Sequence, residues 1–231
     1  MGHPLQGCPI TFQVLKTRYD RVMLIDRAGW PFIAGALLIA VALGFWLGRP
    51  WAVPFLILGA FFLFFFRDPD RQPPQGANLV LSPADARVMA SGETVWPGAP
   101  PGDWKVISMF LSPVDVHVNR IPVAGAVRRV EYHPGKFLPA YKKEAGELNE
   151  WTELWIDWPG GPVVVRQIVG ILARRIVCRV KEGEQVSAGQ RFGVMKFGSR
   201  IDLFLPRTAT IQVKVGDRVV GGETTLATLA P

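Results

Sequence analysis

The chain has 231 residues, with 26 Lys or Arg against 19 Asp or Glu, a net charge of +7 and a pI near 9.8. That length suits one sizeable domain plus an appendage, and the apolar residues gather in one block while no long Lys/Arg run occurs. The basic balance is therefore read as affinity for an anionic lipid surface, and no nucleic-acid partner is expected.

Residues 1–28 are mixed, carry Lys16, Arg18, Arg21 and Arg27, and are expected to be an N-terminal cytoplasmic segment. From Gly29 to Gly48 the chain is uncharged, at ~20 residues long enough to cross a bilayer as a helix. Trp30 and Trp46 sit where interfacial anchors belong. After Arg49-Pro50 a second uncharged run, Trp51 to Phe66, ends in Phe-Phe-Leu-Phe-Phe-Phe. It is short for a full span, so a tilted hairpin partner and a re-entrant segment both stay open. A signal peptide would start nearer the N-terminus, be shorter and end at a small-residue cleavage site. Basic residues flank both outer ends and only Arg49 lies between the runs, which places both ends in the cytoplasm. Residues 29–66 are thus read as a hairpin in the inner cell membrane.

Residues 67–77 are Pro-rich and polar, a linker. Beyond it, residues 78–231 change to short Val/Ile-rich runs with Gly/Pro punctuation: Asn78–Leu81, Trp104–Leu111, Ala126–Tyr132, Val163–Ile171, Ile176–Lys181 and Ile211–Val215. A mostly β domain with few short helices is expected, preceded by the helical hairpin. The charged stretch Leu138–Trp151 reads as a surface loop with room for a short helix. Two segments, from Val180 and from Val213, share a V-K-x-G-[D/E]-x-V-x-x-G turn pattern, which hints at a barrel-sandwich arrangement. Cys8 and Cys178 lie far apart without a CxxC, so neither a disulfide framework nor a metal site is expected, and a reduced compartment fits.

Few residues offer chemistry. Gly198-Ser199 separates two apolar runs, and a serine hydroxyl there is placed to attack the carbonyl before it. Such attack exchanges amide for ester, and loss of that ester from serine leaves a pyruvoyl group. His117 lies in Leu-Ser-Pro-Val-Asp-Val-His-Val-Asn-Arg-Ile-Pro, where strand alternation would put Asp115, His117 and Asn119 on one face. His133 occupies a Tyr-His-Pro-Gly turn, and Asp85 follows a short strand in Ser-Pro-Ala-Asp. Hydroxyl, imidazole and carboxylate together have the makings of a serine-activating site.

Phe-Arg-Asp-Pro from Phe66, Ser-Pro-Ala-Asp, the run around His117, Tyr-His-Pro-Gly-Lys-Phe and Lys-Phe-Gly-Ser-Arg-Ile-Asp-Leu-Phe-Leu-Pro resemble the short bacterial phosphatidylserine decarboxylase proenzymes over nearly the whole chain. The resemblance implies self-cleavage between Gly198 and Ser199 into a β chain (1–198) and an α chain (199–231) that begins with a pyruvoyl group made from Ser199. It implies an Asp-His-Ser arrangement, matched by Asp85 and Ser199. Longer members carry a second histidine, the one usually placed in the triad, where this chain has Arg120. His117 is the first choice for the base and for the later proton donor, and His133 is the alternative. The family's reaction converts phosphatidylserine to phosphatidylethanolamine and CO2 through a Schiff base on the pyruvoyl group. Arg200, beside that group, is the candidate for holding the lipid phosphate, with an exposed strand arginine as the plainer reading. A homodimer is compatible with the sequence and not required by it. Two other readings stand: a biotinyl/lipoyl-like carrier modified at Lys196, from Met195-Lys196-Phe197, and a membrane adaptor without activity.

Overall fold

A computed structural model describes residues 24–93, 96, 98–171, 176–196 and 198–230. Most of the expected N-terminal segment, with His3 and Cys8, lies outside these residues, as does Phe197.

The chain enters through β1 (Leu24–Ile25), and a 3-10 turn at Arg27–Gly29 leads into α1 (Trp30–Trp46). Asp26 caps that turn by accepting the Ala28 N–H (2.9 Å), and Pro31 near the start of α1 has its φ already set for a helix. Gly48, at φ +100, reverses the chain into α2 (Arg49–Phe65). The helices lie side by side, with Gly59 of α2 facing Ala36 and Leu37 of α1. Their outer faces carry Leu38, Val41, Phe45 and Ile57, between 66% and 83% exposed. Among the described residues, Arg27–Trp46 is the one helical stretch long and apolar enough to cross a membrane, with a mean hydropathy of 2.0.

The strand β2 (Arg67–Asp68) pairs with β1 and closes the base of the hairpin. The β domain then runs β3 (Leu79–Leu81), β4 (Ala86–Glu93), β5 (Trp104–Leu111), β6 (Val118–Arg120), β7 (Gly125–His133), one helical turn α3 (Ala145–Leu148), β8 (Trp151–Trp158) and β9 (Gly161–Ile168). It continues through β10 (Ile176–Cys178), β11 (Gln185–Val186), β12 (Arg191–Met195), β13 (Ser199–Pro206), β14 (Thr210–Ile211), β15 (Arg218–Val219) and β16 (Thr225–Thr228). The main sheet has eight strands in the order β11-β7-β8-β9-β13-β5-β4-β15, and small sheets β10-β12-β6 and β14-β16-β3 accompany it. The expected mostly β domain behind a helical hairpin is what is found. The main sheet stays open and does not close into a barrel.

Strand β13 is central to this sheet and covered on both faces. Ile201, Leu203 and Leu205 enter the main core with Ile107, Met109, Val163 and Val165. Phe204 faces the other way, into a second core with Trp96, Val106 and Val164. Two-sided burial explains why this strand reads as a near-continuous apolar run. Residues Val213–Val215, expected as strand, instead lead into a turn: Gly216 has φ +95, and the Lys214 N–H donates to Asp217 Oδ2 (3.0 Å). Likewise the strand expected to reach Lys181 stops at Cys178.

The Pro-rich segment after the hairpin is fastened down. Arg120 Nη2 donates to Asp68 Oδ1 (3.0 Å), and Arg191 Nε lies 2.5 Å from Asp68 Oδ2. Arg71 bridges Asp85 (2.8 Å) and Glu223 (3.3 Å). At the other root of the hairpin Arg179 grips Asp26 through both oxygens. Burial alone would raise the Asp26 carboxyl, but the Arg179 and Ala28 hydrogen bonds outweigh it and hold it below its usual value. Asp68→Ala would leave Arg120 buried without its carboxylate. A loss of about 3–5 kcal/mol is expected, read as a lowered thermal midpoint in detergent, while Asp70→Ala stays near the wild type.

Candidate active site

Gly198 stands at φ +74, a left-handed turn that glycine takes without strain, and hands the chain to β13 at Ser199. Ser199 is opposite Leu111 of β5, and its side chain faces the main core. The hydroxyl is fully buried and has no hydrogen-bond partner among the described residues. A buried, unpaired hydroxyl is uncommon and calls for a functional explanation.

His117 comes to the same turn from the small sheet. The expected strand alternation over Asp115, His117 and Asn119 gives way to a turn, because Asp115 Oδ2 accepts the Ser112 N–H (2.8 Å) and folds the chain back on itself. Strand β6 begins only at Val118. The Gly198 N–H donates to His117 Nε2 (3.3 Å), and His117 Nδ1 is 2.9 Å from the Asp115 carbonyl oxygen. A carbonyl can only accept, so Nδ1 carries the proton and Nε2 offers a lone pair to the Gly198 turn. The ring is 1% exposed and packs on Phe65, centroid to centroid 4.3 Å. Burial depresses its pKa from 6.5 to about 4, the Arg67 charge adding to that and the Asp115 carbonyl and charge opposing it. The imidazole is thus a neutral base through the physiological range.

The other expected residues are not at the junction. Asp85 accepts from Arg71 Nη2 (2.8 Å) and from the Gly221 N–H (2.7 Å), and no hydrogen bond joins it to His117 among the described residues. Burial pushes its carboxyl above the usual value, against the pull of the Gly221 N–H and Arg71. His133 is exposed and stacks on Trp151 at 4.0 Å. It stands three strands from Ser199 in the order β7-β8-β9-β13, roughly 14 Å across the sheet. Arg200 is fully buried on the face of β13 opposite to Ser199, so the plainer reading of an exposed arginine fails. Its guanidinium is spread over Asp202 and the Lys142 carbonyl (3.0 Å), while Ser108 and Trp96 complete the Asp202 shell at 2.7 Å each. With three of its five N–H donors taken and the side chain fully buried, the guanidinium is held away from the surface where a lipid phosphate would arrive. Lys196 is half-buried with Nζ 4.6 Å from the Phe32 ring centroid, unlike the exposed arm a carrier needs.

Comparison with known proteins gives the family. The family model for phosphatidylserine decarboxylase matches residues 58–227. The chain belongs to that family. It is 44% identical to the phosphatidylserine decarboxylase proenzyme of Nitrosomonas europaea over 214 residues, 92% of this chain and 99% of the relative. It is 44% identical to the proenzyme of Cupriavidus taiwanensis over 89% of this chain and 96% of the relative.

Within this member of the phosphatidylserine decarboxylase family, three contacts at the junction escape a reading by motif. Phe65 backs the imidazole, and it belongs to the apolar run that reads as membrane. Gln167 of β9, opposite Ile201, donates through Nε2 to Asn119 Oδ1 (2.6 Å) and so ties the sheet bearing Ser199 to β6, the strand that directly follows His117. Gly170 lies against the carbonyl to be attacked: a Cβ built there would sit 2.3 Å from Gly198 O. Knowledge of which strands pair would have exposed the last two. Gly170→Ala must displace the Gly198 carbonyl, and self-cleavage is expected to slow by about 10²-fold, the cost of an ångström-scale misplacement. A time course of chain cleavage in denaturing gels checks this.

Proposed function

We propose that the chain is a self-processing, pyruvoyl-dependent decarboxylase that converts phosphatidylserine to phosphatidylethanolamine and CO2. The observation that carries the reading is the buried, unpartnered Ser199 hydroxyl at a left-handed glycine turn whose N–H is held by the lone pair of a neutral histidine.

His117 Nε2 releases the Gly198 N–H and accepts the Ser199 Oγ proton as Oγ attacks the Gly198 carbonyl carbon. The Gly198–Ser199 C–N bond breaks, that nitrogen takes up a proton, and residues 198 and 199 are then joined by an ester. Loss of the Ser199 Cα proton expels Gly198 as a carboxylate. One water then releases the nitrogen as ammonia, leaving a pyruvoyl group at the start of the α chain (199–231), with 1–198 as the β chain. Asp115 orients the base through its backbone carbonyl, and Asp85 holds the Arg71 and Gly221 side of the fold. The site suits a group made in place, because the reacting serine is already fully buried and its hydroxyl has no competing partner among the described residues. That group, condensed with the substrate amine, supplies an electron sink for the pair left when CO2 departs. His117 is the donor that returns a proton to the former α-carbon.

The hairpin of residues 29–66 anchors the β domain of residues 78–231 at the cytoplasmic face of the inner membrane, through the linker 67–77. The substrate's acyl chains stay in the bilayer, and the basic surface gathers anionic lipid. Purified protein in vesicles containing phosphatidylserine labelled in its carboxyl group is expected to release labelled CO2 and form phosphatidylethanolamine. Self-cleavage without CO2 release would move the chain to another amine substrate.

A further inference from the structure

The strands that carry the reacting junction all end on one side of the main sheet. Ser199 is opposite Leu111, Arg200 opposite Ile168, Ile168 opposite Trp151, and Trp151 opposite His133. Beyond that edge lie the loops after β5, β7 and β9. Each puts a large apolar side chain into solvent: Val114 at 60% exposure, Phe137 at 40% and Ile171 at 57%. Each also touches the junction's neighbourhood. Arg67 Nη2, at the root of the hairpin, donates to the Val114 carbonyl (2.8 Å). Ile171 follows Gly170, which abuts Gly198 O, and Ala140 of the Phe137 loop faces the same glycine. On the hairpin side, Lys196 holds its Nζ over Phe32, in the first turn of α1. The exposed apolar residues are thus continuous with the level at which the hairpin leaves the β domain.

Charge points the same way. Lys136, Lys142 and Lys143 are exposed on the loop after β7, and Glu144 and Glu147 are exposed in the helical turn that follows it. Exposed apolar side chains interleaved with lysine stems, next to an apolar helix pair, form the surface that an anionic interface takes up.

We propose that this edge of the β domain is a second membrane contact: Val114, Phe137 and Ile171 enter the headgroup layer of an anionic bilayer, and Lys136, Lys142 and Lys143 lie against its phosphates. The hairpin tethers, and the rim orients. With the rim seated, the Gly198–Ser199 junction is held close to headgroup depth, where the lipid amine lies while the acyl chains remain in the bilayer. The inference rests on the hairpin being a membrane anchor and on the decarboxylase reading for its consequence.

Full-length protein in a Cys8→Ser/Cys178→Ser background, with Val114→Cys, Phe137→Cys or Ile171→Cys, is labelled with a fluorophore and placed in vesicles of phosphatidylglycerol and dibromo-phosphatidylcholine. Arg207→Cys, at the far end of β13, is the control. Strong bromine quenching at the three rim positions and none at residue 207 is expected, weakening when phosphatidylglycerol is left out. Rim labels quenched no more than the control overturn the proposal. So do rim labels hidden from iodide yet untouched by bromine, since a second copy of the chain would then cover the rim. As a functional arm, Phe137→Ser/Ile171→Ser is expected to lower turnover of vesicle phosphatidylserine about tenfold, with self-cleavage and turnover of short-chain, monomeric phosphatidylserine unchanged. Equal loss on both substrates counts against the rim. If the wild type cleaves no lipid at all, the decarboxylase reading fails, while the quenching pattern still decides the rim.

Discussion

Ser199→Ala yields a folded chain of 231 residues that is never cut and releases no CO2. The variant removes one oxygen from a buried position where it has no hydrogen-bond partner among the described residues. Deleting an unsatisfied hydroxyl exposes no new polar group, so stability is expected to hold or rise slightly. Loss of cleavage therefore cannot be blamed on unfolding. Without Oγ no ester forms and no pyruvoyl group follows, so decarboxylation falls by more than about 10⁴-fold. Denaturing gels, a thermal melt and labelled CO2 release check the three parts. Cleavage that persists in the Ser199→Ala variant would mean that another nucleophile opens the bond.

His117→Ala is the second large effect. A positioned general base is worth about 10²–10⁴-fold, and self-cleavage of the variant is expected to slow by that range. His133→Ala, exposed and three strands away, stays within about twofold of wild type, as surface changes away from a site generally do. The pH dependence carries the same signature. With the folded-state pKa at about 4, the wild-type base stays neutral as pH falls through 6.5, and the acid limb of the cleavage rate lies near pH 4. Stability moves differently. Between pH 6.5 and 4 the unfolded chain binds a proton at this histidine that the folded chain refuses, so stability is complete above pH 6.5 and declines as pH falls. The decline amounts to about 3 kcal/mol by pH 4. His117→Ala removes that slope as well as the rate. A rate limb near 6.5 in the wild type would show that the base is solvated and is not this buried imidazole.

Much of this was legible along the chain because it is local. The hairpin is a matter of uninterrupted apolar residues, and β13 announces itself as an apolar run because both its faces are covered. Ser199 stood out through its glycine, and His117 through its scarcity. What could not be read depends on which strands lie side by side. The fate of Arg200 is the clearest case: next to Ser199 in sequence, it is turned by strand alternation to the opposite face and consumed by Asp202, itself held by Ser108 and Trp96 from far along the chain. Asp85 likewise has the right chemistry to orient a histidine, but Arg71 and the Gly221 N–H claim it, and the Asp115 carbonyl orients His117 instead. Strand β4 was missed for a related reason. β4 includes Ala, Ser and Gly, small residues with little strand preference, and is held in place by β5 and β15.

The most direct test of self-processing is the intact mass of the wild-type protein extracted from membranes. Two chains are expected, 1–198 and 199–231, with the smaller lighter by one ammonia than a peptide that begins with serine. A single unmodified chain of 231 residues, or a small chain that keeps its N-terminal serine, would contradict a pyruvoyl enzyme.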